Sequence, residues 1–66
     1  MKNNIRVERA ILNITQEELA NKIAVSRQTI NAMEANKYVP STVLALKIAR
    51  VFQKPVEQIF YLEEND

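Results

Sequence analysis

QEELANKIAVSRQTINAMEA, Gln16 to Ala35, is the most informative segment of the chain. It reads as a helix, a turn of three to four residues, and a second helix. Two helices that cross at about 90–120° over so short a turn approach each other closely, which constrains the contact positions. The crossing point on the first helix must be small, and Ala20 is. The apolar positions that seal such a pair are Leu19, Ile23, Val25, Ile30 and Met33, and all occur at the required spacing. The flanking residues mark the ends of both helices. Thr15-Gln16-Glu17-Glu18 is a capping box, in which the Thr15 hydroxyl accepts from the Glu18 amide while the Glu18 side chain reaches back. Ile14 and Leu19 bracket that cap as a hydrophobic staple. Ser26 caps the second helix, whose inward face is Ile30, Met33 and Glu34.

Outward from this unit, helix signals recur and strand alternation is scarce. An opening helix is expected from about Asn4 to Leu12, with Ile5, Arg9 and Leu12 on one face at helical spacing. Asn36-Lys37-Tyr38-Val39 reads as a loop, ended by Pro40. Ser41 caps a fourth helix to about Phe52 with a stripe of Leu44, Ile48, Val51 and Phe52. Lys54-Pro55 opens a short fifth helix, from which Val56, Ile59 and Phe60 face inward; proline near its first turn loses no needed N–H. The expected architecture is all-α, five helices in one domain over residues 1–66. The helix-turn-helix unit occupies 16–35, and an acidic tail occupies 61–66. A short pairing of Lys2–Asn3 with Tyr61–Glu63 is a further expectation.

Composition narrows the chemistry. The 66 residues contain no Cys and no His, which removes disulfides, thiolate nucleophiles, zinc ribbons and the commonest general base. No nucleophile–base pair or metal cluster is evident, so no enzyme, cofactor or small-molecule ligand is expected. No apolar run reaches the ~20 residues of a membrane span. Met1 to Arg9 lacks the apolar stretch of a secretion signal, and a cytoplasmic location follows as the expectation. Glu63, Glu64 and Asp66 read as a solvated tail with no geometry to hold a metal. The net charge is only +1, but it is unevenly spread. Residues 1–54 hold all nine Lys and Arg and four acids, a balance of +5, whereas residues 55–66 carry four acids and no base. A basic body with an acidic tail suits a polyanion on one side and solvent or a partner on the other. Lys22, Lys47, Arg50 and Lys54 read as solubility charges.

The chain resembles the Cro/C1-type helix-turn-helix repressors, the XRE family. The resemblance rests on Thr15-Gln16-Glu17-Glu18-Leu19-Ala20, Val25-Ser26-Arg27-Gln28-Thr29-Ile30, Glu34, Asn36-Lys37-Tyr38-Val39-Pro40-Ser41, Leu44-Ala45-Leu46-Lys47-Ile48-Ala49 and Pro55-Val56-Glu57-Gln58-Ile59-Phe60. It implies a double-stranded DNA-binding regulator, a homodimeric repressor in the first instance, with the third helix in the major groove. Base contacts would fall to Arg27, Gln28, Asn31 and Ala32. Arginine donates bidentately to guanine, glutamine and asparagine pair with adenine, and a methyl group meets that of thymine. Phosphate contacts would fall to Thr15, Gln16, Ser26, Thr29, Asn36, Lys37 and Tyr38, and an ion pair would join Arg9 to Glu34. A dimer interface is expected near Ile59, Phe60, Tyr61 and Leu62, and a palindromic operator would follow from two-fold symmetry. Two alternatives share the fold: the antitoxin half of a toxin–antitoxin pair, and a protein-interaction module that does not bind DNA. Two positions depart from the family pattern. Ala24 stands where glycine is usual in the turn, and Glu8 stands where the first helix is often apolar, with Val7 and Ile11 on another face.

Overall fold

A computed structural model describes residues 1–66. The chain runs β1 (Lys2–Asn3), α1 (Ile5–Leu12), α2 (Gln16–Ile23), α3 (Arg27–Glu34), α4 (Thr42–Phe52), α5 (Val56–Ile59) and β2 (Phe60–Tyr61). The expected five helices are present, and a two-stranded antiparallel ribbon joins the two ends of the chain. The caps account for the boundaries. The hydroxyls of Thr15, Ser26 and Ser41 accept from Glu18, Thr29 and Leu44 amides at 3.0, 3.2 and 3.2 Å, each satisfying a donor that the first turn leaves free. The Thr15 amide donates in return to the Glu18 carboxylate at 3.0 Å, completing the capping box.

The helices end without glycine. Asn13, Ala24, Asn36 and Gln53 take the left-handed conformation after α1, α2, α3 and α4, with φ of 57, 59, 60 and 55°. Asparagine tolerates this region; alanine does so against a steric penalty of roughly 1–2 kcal/mol. Ala24 occupies the turn because its amide closes α2 on the Ala20 carbonyl, and the Val25 amide follows onto the same oxygen at 3.0 Å.

One core cluster draws on every helix: Ile5, Leu19, Ala20, Ile23, Ile30, Met33, Ile48, Ala49, Phe52, Ile59 and Phe60, with Ile14, Val25, Leu44, Val51 and Val56 packed at its margin. The crossing residue Ala20 and the five seal positions of the helix-turn-helix unit all lie in this cluster or on its edge. Burying side chains of this size contributes about 1.5–3 kcal/mol each before the entropy of ordering is subtracted.

Several expectations need correction. Leu12 is 47% exposed rather than inward, because it is the last residue of α1 and the chain turns away at Asn13. The inward positions of α1 are Ile5 and Glu8. The Glu8 carboxylate lies against the Lys54 ammonium at 2.9 Å, so the charge at this usually apolar position is compensated. Lys54 is therefore a structural cation, while Val7 and Ile11 stand in solvent. The ribbon pairs Lys2 with Tyr61 and Asn3 with Phe60, one residue earlier than expected. Phe60 accordingly belongs to β2 rather than to the fifth helix. Because strand side chains alternate, this register turns Phe60 into the core and Tyr61 to solvent. The acidic tail is folded back. The Glu63 amide donates to the Asp66 carboxylate at 2.8 Å, and the Met1 ammonium sits 2.8 Å from Asp66 and 3.3 Å from Glu63.

Candidate nucleic-acid interface

The outer side of α3 and the segments beside it hold the candidate site residues. Arg27 is the first residue of α3, directly after the Ser26 cap. Arg27, Gln28 and Asn31 are exposed and Ala32 is half-buried beside them. This is what a helix produces when Ile30 and Met33 face the core: positions 27, 28, 31 and 32 occupy the opposite side. Asn36, Lys37 and Tyr38 are exposed in the loop that follows, and a shallow depression lined by Gln28, Thr29, Ala32, Lys37 and Tyr38 lies between loop and helix. A second depression, open to solvent, runs past Asn13, Thr15, Gln16, Glu17 and Arg27 where α2 begins.

The ion pairs leave six of the nine Lys and Arg side chains free, Arg27 and Lys37 among them. The ion pairs of the chain engage Met1, Arg6, Arg9 and Lys54. Arg27 and Lys37 take part in none of them. Within residues 1–54, Glu34 and Glu8 are neutralised by Arg9 and Lys54, so only Glu17 and Glu18 remain as exposed carboxylates of the basic body.

Behind the exposed face sits a buried polar hub. The Glu34 side chain is 1% exposed. Arg9 grips it with Nε at 2.6 Å from Oε2 and Nη2 at 3.0 Å from Oε1, a bidentate geometry that fixes both groups. Arg9 also donates to the Ile14 carbonyl at 3.1 Å. Burial pushes the Glu34 carboxyl up, but the hydrogen bonds from Arg9, Gln16 and Arg6 outweigh it and hold the group below the usual glutamate range.

The hub redefines several site residues. Gln16 Nε2 donates to Glu34 at 3.1 Å and to Asn31 Oδ1 at 3.3 Å. Gln16 is thus tied to the inner hub and holds one oxygen lone pair of Asn31, whose Nδ2 donors stay free. Ser26 and Thr29 share a hydroxyl–hydroxyl hydrogen bond at 3.0 Å, and Thr15 is occupied as a cap acceptor. These three hydroxyls are committed to shaping helix starts, with donor or acceptor capacity left over. Of the residues expected at a dimer interface, Ile59 is 0% exposed and Phe60 is in the core of its own protomer. Neither has surface to offer a second copy; Tyr61 and Leu62 do, Leu62 being 74% exposed. Sequence reading did not find the Gln16–Glu34–Asn31 connection or the contribution of Arg6, whose Nε lies 3.5 Å from Glu34. The only signal available was the i, i+3, i+4 spacing that brings Arg6 and Arg9 near one face of α1.

Comparison with known proteins agrees with this geometry. Residues 5–59 match the family described as Helix-turn-helix. The chain is 52% identical to a protein of Methanocaldococcus jannaschii over 66 residues that cover the whole of both chains; that protein is named an HTH-type transcriptional regulator. It is 48% identical over its full length to one of Archaeoglobus fulgidus, covering 93% of that protein, and 44% identical over both full chains to YgzD of Bacillus subtilis, both named in the same way. With the helix pair, its caps, the Arg9–Glu34 pair and the match over residues 5–59 in agreement, the chain belongs to the helix-turn-helix family of the Cro/C1 type.

Proposed function

We propose that this chain is a sequence-specific double-stranded DNA-binding transcriptional regulator that acts as a homodimeric repressor. The observation that carries the reading is the outer face of α3: Arg27, Gln28 and Asn31 stand in solvent, with Ala32 half-buried beside them, on a helix whose other face is locked into the core, and Arg27 and Lys37 are cations in no ion pair. In this reading α3 enters the major groove. Arg27 donates to guanine, Gln28 and Asn31 address adenine, and the Ala32 methyl meets thymine. Asn36, Lys37 and Tyr38 grip the backbone on one side of the groove. The start of α2, at Thr15 and Gln16, and the Ser26–Thr29 pair meet it on the other. Helix N-terminal amides add a favourable field for phosphate there.

The reading requires two copies. The longest dimension of the protomer is 31 Å, so one copy covers about one groove and makes few base contacts. A two-fold dimer presents two α3 helices to half-sites about 34–36 Å apart, and Tyr61 and Leu62 supply exposed apolar surface for it. Repression follows from occupancy of an operator that overlaps the start of transcription, with control set by the concentration of the protein.

The experiment is selection of binding sites from a random duplex pool with the purified chain at ~100 mM salt, where backbone contacts alone are partly screened. Enrichment of a palindrome with half-sites about one helical turn apart is the expected result. A folded protein that enriches no sequence would sink the reading and favour an interaction module or an antitoxin that needs its partner.

A further inference from the structure

We propose that Asn3 is a positioning residue for duplex binding, holding the end of α3 and the phosphate-facing loop in place from the terminal ribbon. The proposal rests on the DNA-binding reading above. Asn3 lies on β1, opposite Phe60. Its side-chain amide is committed at both ends. Oδ1 accepts from the Ile5 amide at 3.1 Å, and Nδ2 donates to the Met33 carbonyl at 2.8 Å, 30 residues away. Nδ2 also stands 3.5 Å from Asn36 Oδ1.

Met33 and Asn36 are where α3 stops and the loop begins. The last carbonyls of a helix have no partner within it. Here the Asn36 amide returns to the Met33 carbonyl at 3.0 Å and the Lys37 amide to the Ala32 carbonyl at 2.9 Å, which obliges Asn36 to take φ of 60°. This closure is two hydrogen bonds over an exposed loop. The buried hub of Glu34 holds α3 from inside, but nothing else reaches its last turn from the ribbon. The second hydrogen bond on the Met33 carbonyl comes from Asn3, and the same amide faces the Asn36 oxygen. That leaves the Asn36 Nδ2 donors uncommitted for a phosphate. One neutral side chain therefore links the ribbon, the final turn of α3 and the loop carrying Asn36, Lys37 and Tyr38.

The test uses the full chain. Asn3→Ser keeps an oxygen for the Ile5 amide but is too short to reach Met33; the isosteric Asn3→Asp is the second variant should the first fold poorly. Two readouts are taken. In the free protein, amide exchange at Asn36 and Lys37 should speed up about tenfold while Ile23 and Ile48 stay unchanged. With a duplex chosen by selection, affinity should fall about fivefold, and Asn3→Ser should be non-additive with Asn36→Ala because both remove one linkage. Unchanged exchange at Asn36 and Lys37, or equal acceleration throughout the core, overturns the proposal, as does strict additivity of the two variants. A wild-type chain that binds no duplex overturns the reading beneath it instead, and the exchange data tell that failure apart from a missing linkage.

Discussion

Arg27 and Lys37 carry the same charge, yet the proposed interface gives them different work. Arg27 begins α3, where a planar guanidinium can meet a base edge in two parallel hydrogen bonds. Lys37 sits in a loop and offers a point charge on a flexible stem. Arg27→Ala is expected to weaken binding to the selected duplex by about 1–3 kcal/mol and to relax the preference at one base position. Lys37→Ala is expected to weaken all duplexes alike and to reduce the slope of log affinity against log salt by about 1. Titrations of both variants on specific and random duplexes over a salt series decide the matter; equal losses for Arg27→Ala on both would remove its role. Ala24 makes the other residue-scale case. Its φ of 59° disfavours a Cβ, and the residue is exposed, so Ala24→Gly loses no packing. The steric relief outweighs the added freedom of the unfolded chain. Ala24→Gly should raise stability by about 0.5–1 kcal/mol, read as a higher urea midpoint at constant slope. A lower midpoint would show that the turn is not strained. The departure from glycine at this position was visible in the sequence, but that the backbone keeps the left-handed turn there was not.

At the scale of elements, Glu34 joins three helices: Arg6 and Arg9 on α1, Gln16 on α2, and its own α3. Its carboxyl is held below the ordinary glutamate value of about 4.3. A carboxyl depressed by folding contributes stability that is fully present above the unfolded value and is lost as pH falls through the folded one. Glu34→Gln should thus cost about 2 kcal/mol at neutral pH, since Arg9 is left without a charged partner. The gap between wild type and variant should narrow steadily below about pH 4. Denaturant midpoints from pH 7 down to pH 2.5 measure it, and a gap that stays constant over this range would show that the charge of Glu34 is not what matters. Legibility was uneven among the elements. The starts of α2, α3 and α4 could be read, because Thr15, Ser26 and Ser41 act within three residues of themselves. Leu12 and Phe60 were misplaced, because where a helix stops relative to the core depends on neighbours that local periodicity does not describe.

For the whole molecule, the proposed dimer has a narrower basis than the family resemblance implied. Ile59 and Phe60 complete the protomer core, which leaves Tyr61 and Leu62 as the apolar surface at that end. Leu62→Glu should leave the thermal transition of the dilute protein within about 2 °C, since an exposed position changes stability little. It should shift the mass in solution from dimer to protomer and lower operator affinity at least tenfold. Light scattering at several concentrations gives the answer, and an unchanged dimer would place the interface elsewhere. The helix-turn-helix unit, the exposed face of α3 and the uneven charge were legible in the residues alone, because caps, turns and apolar spacing act over three to four residues and the composition of a segment is its own. The rest came from packing between distant segments. Glu8 meets Lys54 across 46 residues, Gln16 meets Glu34 across 18 and Asn3 meets Met33 across 30. These contacts arise when distant segments are packed around one core, and a buried polar group then takes whichever partner the packing brings within reach.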